Sequence, residues 1–93
     1  DPIIKSYIDQ LVRASASVGA NYRAACRAKS KPDFINKMRI VEEEADESMY
    51  FLELLNEFYT EREKDIETLH KEGNEILSMT VSSINTTIRN LNS

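Results

Sequence analysis

Ser30-Lys31-Pro32-Asp33 stands between two long amphipathic stretches, ending one helix and opening the next. A serine hydroxyl can accept from a backbone N–H that the first helical turn leaves unpaired. A proline costs nothing in that turn, and an acid at the third position sits where a capping box needs it. Upstream, Asp1-Pro2 carries the same start signal, and Ile4, Ile8, Leu11, Ser15, Val18, Tyr22 and Ala25 follow at spacings of four and three, the seam of an amphipathic helix reaching about Lys29. Downstream, Phe34, Met38, Val41, Ala45, Ser48, Leu52, Leu55 and Tyr59 keep the same alternation, which predicts a second helix from Pro32 to about Phe58. Thr60-Glu61-Arg62-Glu63 reads as a further capping box, opening a third helix whose seam is Leu69, Gly73, Leu77, Val81, Ile84, Ile88 and Leu91. Short links between long helices make successive helices antiparallel neighbours. The expected fold is therefore all-α: an up-and-down antiparallel bundle in one domain, residues 1–93, with three long helices over about 2–29, 32–58 and 61–90.

Composition agrees with helices. The 93 residues include two glycines and two prolines, which leaves little material for turns or irregular chain. A single cysteine, Cys26, excludes an internal disulfide, and the absence of a signal peptide or a run of about 20 apolar residues points to a cytoplasmic location with no membrane role. The net charge is −4, unevenly spread: residues 1–31 carry six Lys and Arg against two acids, residues 32–60 two against eight, and residues 61–93 four against six.

Two features exceed the needs of a three-helix bundle. Gly19, within a stripe of Ala16, Ala20, Ala24 and Ala28, costs helix stability and so implies close approach of another backbone. The stretch from Met49 through Leu55 is apolar almost all round, wider than two neighbours require. Met49, Tyr50, Phe51, Leu54 and Phe58 are the expected face for a missing helix or for other subunits.

Gln10 to Ser15, Val18-Gly19-Ala20-Asn21-Tyr22-Arg23-Ala24-Ala25-Cys26-Arg27-Ala28-Lys29-Ser30, Asp33 to Met38, Ile40 to Glu47 and Tyr50 to Leu55 together resemble the bacterial four-helix bundle protein family, also called the 23S rRNA intervening sequence proteins. About half the chain carries the resemblance, and residues 60–93 match only as a generic amphipathic helix. The resemblance implies that these are the last three helices of a four-helix bundle, with another helix ahead of the position of Asp1. It also implies a homo-oligomer, in related proteins a pentamer, and a distant relationship to accessory proteins of diversity-generating retroelements, which bind a reverse transcriptase and nucleic acid.

Arg23, Arg27 and Lys31 recur every four residues, with Arg13 and Lys29 nearby, and could neutralise several phosphates of an RNA or nucleoprotein partner. The alternative is that they pair with Glu42, Glu43, Glu44, Asp46 and Glu47 on the next helix, within or between subunits. A carboxylate-bridged di-metal centre would need two Glu-x-x-His motifs, and the chain has one histidine, His70, most simply a surface residue. Cys26 lies among alanines with no histidine nearby to act as a base, so a small buried thiol is expected there. Asn21 either bonds across helices or meets solvent. With no nucleophile–base pair or metal-ligand cluster, neither enzymatic activity, a cofactor nor a small-molecule substrate is expected. The expected role is a non-enzymatic oligomeric scaffold for RNA or a nucleoprotein, the alternative being a protein-binding adaptor with no nucleic-acid role.

Overall fold

The computed structural model describes residues 1–92 and contains three long helices: α1 (Pro2–Cys26), α2 (Lys31–Asn56) and α3 (Glu63–Leu91), the last preceded by a single 3-10 turn at Thr60–Arg62. Asp1 caps α1 by accepting from the N–H of Ile3 at 2.8 Å, and Ser30 caps α2 by accepting from the N–H of Asp33 at 3.1 Å. Both caps fall where the start signals place them. α1 ends three residues earlier than expected, because Ser30 must be extended (φ −153°, ψ 162°) to present its hydroxyl, and the chain needs Arg27 to Lys29 to reach that geometry. α2 likewise ends at Asn56 rather than Phe58, its last turn tightened by bonds from Glu57 to Leu54 and from Phe58 to Leu55. Thr60 makes no side-chain cap; residues 60–62 form the 3-10 turn instead, and acids at Glu63 and Asp65 face the positive end of α3.

α2 is the central helix. It supplies seven of the ten buried hydrophobic residues, Ile35, Met38, Val41, Ala45, Met49, Leu52 and Leu55, against two from α1 and one from α3. Its inward stripe follows the expected spacing, with Ile35 and Met49 in place of Phe34 and Ser48 at the centre. α1 and α3 pack along two sides of it. The seams of those flanking helices differ from expectation in one systematic way. On α1 the residues turned to α2 are Ile4, Tyr7, Leu11, Ala14, Val18, Asn21 and Ala25, while Ile8 and Tyr22 are 40% and 46% exposed. On α3 they are Ile66, His70, Gly73, Leu77, Thr80 and Ile84, while Leu69 is half exposed. The apolar stripes of both helices are thus wider than their contact with α2, and the surplus edge is open.

That surplus lines a groove between α1 and α3. Leu11, Ser15 and Val18 form one wall, Leu69, Gly73 and Ile76 the other, and Ala45, Met49 and Leu52 of α2 the floor; its volume is about 230 Å³. It continues toward Gly19, Tyr22, Met79 and Thr80. The expected close approach at Gly19 is absent within the chain: a Cβ there would meet nothing within 4 Å. At Gly73 it would lie 2.9 Å from Cγ of Met49, so this glycine makes room for a buried methionine. The chain exposes 6344 Å² at 10.7 kDa, where a compact protein of that mass exposes on the order of 5,500 Å². The difference is roughly 800 Å². Among the described residues no helix is long and apolar enough to cross a membrane.

Candidate functional site

Antiparallel packing brings the α1–α2 turn and the C-terminal part of α3 to one end of a molecule about 51 Å long. The charges sort along that axis. Residues 19–40 and 76–92 hold Arg23, Arg27, Lys29, Lys31, Lys37, Arg39 and Arg89 against one carboxylate, Asp33. The remaining residues hold five Lys and Arg against fifteen acids. The net of −4 is the sum of a basic end near +6 and an acidic remainder near −10.

At the basic end, Arg23 lies in the last turn of α1, Arg27 caps it, Lys29 sits in the turn and Lys31 is the first residue of α2. The spacing of four therefore does not run down a single helix face, because the helix stops at Cys26, but the turn keeps all four at the same end. All are exposed, and none has an ion-pair partner among the described residues. Arg23 and Arg89 also occupy last turns, where a cation meets the negative end of the helix dipole. An open-mouthed cleft of about 430 Å³ lies between the α1–α2 turn and the last turns of α3, lined by Lys29, Ser30, Lys31, Phe34, Thr87 and Asn90. Cys26 is exposed at its edge rather than buried, because α1 ends on it and the turn carries the chain away from the core.

Arg13 behaves differently. Its guanidinium donates to Glu47 at 2.6 Å and to Glu44 at 3.4 Å, joining α1 to α2 midway along the molecule. The hydrogen bond to Glu47 is the main influence raising its pKa above the ordinary arginine value; partial desolvation opposes it. Of the other acids in the run, Glu42, Glu43 and Asp46 border a cleft with Arg39 and Leu77 on the α3 side of α2. The charge-pairing alternative therefore describes Arg13, and the other four cations do not follow it within the chain.

The apolar residues from Met49 to Phe58 divide among several surroundings. Met49 is buried in the groove floor. Phe51 and Phe58 each place a ring 6.1 Å from that of Tyr7, and Tyr50, 55% exposed, meets Phe51 edge-on at 5.2 Å. Leu54 is half-buried. Tyr7 was missed in the sequence because Ile8 competes with it for the same seam position. Asn21 bonds within its own helix, donating to the carbonyl oxygen and hydroxyl of Ser17. His70 is half-buried and faces Glu53 at 3.0 Å. Glu67 stands three residues before His70, so the chain does hold a single Glu-x-x-His. Among the described residues no three His, Cys, Asp or Glu come together to hold a metal ion.

The model of the 23S rRNA-intervening sequence protein family matches residues 4–82. The chain belongs to that family. A solved structure from Bacteroides thetaiotaomicron, described as a protein of unknown function from the S23 ribosomal protein family, is 37% identical with a TM-score of 0.79, over 84% of this chain and 72% of that one. Among curated proteins none matches. The 23S rRNA-intervening sequence protein match spans nearly all of α1, all of α2 and most of α3, more than the stretches quoted from the sequence, and it includes the basic turn and the groove.

Proposed function

We propose that this chain is a non-enzymatic helical scaffold that works as a homo-oligomer and holds RNA or a nucleoprotein at its basic end. The carrying observation is the charge segregation: four exposed cations, without carboxylate partners among the described residues, stand at one pole of a chain that is acidic overall. Phosphate contacts of this kind supply affinity without reading sequence, and they release counterions. The family takes its name from an intervening sequence of 23S rRNA, and its solved relative is described as of unknown function and from a ribosomal protein family. The groove and the roughly 800 Å² of surplus exposure support assembly, with a further helix, as in a four-helix bundle, seated between α1 and α3.

The test is RNA affinity across a salt series. Neutralising four phosphates of a single strand gives a log–log slope of about −3. Arg23→Glu/Arg27→Glu should abolish most of the binding and flatten the slope. Salt-independent binding, or an unaffected double variant, overturns the RNA reading in favour of a protein-binding adaptor. Native mass spectrometry of the full-length protein tests the scaffold part, which a stable monomer would overturn.

A further inference from the structure

The proposed RNA-binding role leaves open where on the basic end a polyanion is gripped. Arg23 and Arg27 are exposed in the last turn and at the C-cap of α1. By contrast, the cleft at the α1–α2 turn has two sides: Lys29 and Lys31 on one, and the last turns of α3 on the other, with Thr87 and Asn90 facing in. We infer that this cleft seats a backbone phosphodiester of the bound RNA, held by the Lys29 and Lys31 ammonium groups. This rests on the RNA reading above.

Three observations carry the assignment. Lys29 and Lys31 are both exposed and unpaired among the described residues, so their charge is available, whereas Arg13, which lies nearer the acidic run, is taken by two glutamates. They straddle Ser30, whose hydroxyl is committed to capping α2, which fixes the backbone between the two lysines and holds them at the same cleft. Finally, Arg23 in the last turn of α1 and Arg27 at its C-cap add two more exposed cations at the same end of the molecule. Two lysines at the cleft and two more cations at the same end fit a chain of several phosphates better than the single charge of a carboxylate. The acidic remainder of the molecule, near −10, repels the same polyanion and confines it to this end. No aromatic face is fully presented in the cleft, since Phe34 packs against the core cluster, so recognition is of backbone charge rather than of a stacked base.

The experiment measures binding of a labelled single-stranded RNA to the full-length protein by fluorescence anisotropy between low and moderate salt, for the wild type, Lys29→Gln/Lys31→Gln, and Lys64→Gln/Lys71→Gln as a control pair outside the basic end. Losing two phosphate contacts should reduce the salt slope by roughly 1.4 and weaken binding about tenfold or more at low salt. The control pair should bind like the wild type. Wild-type binding with Lys29→Gln/Lys31→Gln indistinguishable from the control pair overturns the cleft alone. Absence of any RNA binding by the wild type overturns the role on which it rests. Circular dichroism of each variant confirms that the helices are intact.

Discussion

Replacing Gly19 by alanine separates the groove from an ordinary helix surface. Alanine in a helix interior is favoured over glycine by about 0.8–1 kcal/mol. In this chain the added Cβ of residue 19 meets no atom within 4 Å, so nothing opposes that gain and little burial adds to it. The expected result is stabilisation of about 1 kcal/mol, or a rise in Tm of roughly 4–8 °C for a domain of this size. Gly73→Ala is the internal comparison. There the Cβ lies 2.9 Å from Cγ and 3.4 Å from Sδ of buried Met49, so the same propensity gain is set against displacement of a packed side chain, which costs about 1–3 kcal/mol. The net should be zero to negative, despite the adaptability of methionine. Thermal and urea denaturation of the 93-residue chain at low concentration, followed by circular dichroism, gives both values. A Gly19→Ala variant that loses stability, or a Gly73→Ala variant that gains as much as Gly19→Ala, would refute this account of the groove. In an assembly with a helix seated between α1 and α3, the gain at residue 19 should shrink or reverse, since the open space is then occupied.

Two further substitutions test the core and the cap. Val41→Ala removes two methyl groups from a fully buried site on the central helix, a loss of about 2 kcal/mol once a cavity term is added; a denaturation midpoint near the wild-type value would show that α2 is not the centre of the fold. Ser30→Ala deletes the oxygen that accepts from the N–H of Asp33, costing about 1 kcal/mol. No measurable loss for Ser30→Ala would argue that the turn is held by other contacts.

The helices and their order were legible because their signals are local. Asp1-Pro2 and Ser30-Lys31-Pro32-Asp33 act through backbone groups within four residues, and the caps form as those residues dictate. The third start signal failed for an equally local reason: Thr60 entered a 3-10 turn, and no side chain caps α3. Cys26 was misplaced because its environment depends on where α1 stops, which is set by the extended Ser30 four residues later. The fate of the cations was not legible at all. Arg13 and Arg23 both belong to α1, and only the register of α1 on α2 decides that Arg13 reaches Glu44 and Glu47 while Arg23 reaches no carboxylate among the described residues.

The width of the apolar stripes on the two flanking helices leaves an open groove that is separate from the basic end. A period of three and four residues tells how wide an apolar stripe is only when both of its edges are known. For α1 the stripe runs from Tyr7 and Ala14 on one edge to Ile8, Ser15 and Tyr22 on the other, with Ile4, Leu11, Val18 and Ala25 between them. α2 takes the first edge and the centre; the second edge remains beside Leu69, Ile76 and Met79 of α3. Two independent helices therefore expose matching apolar edges toward the same space, which chance exposure of single residues on a surface does not produce. The groove has its floor at Ala45, Met49 and Leu52, while Lys29 and Lys31 border a separate cleft at the α1–α2 turn. An added helix would thus fill the groove and leave those lysines accessible, so the proposed assembly and the proposed polyanion binding would use different surfaces of one unit.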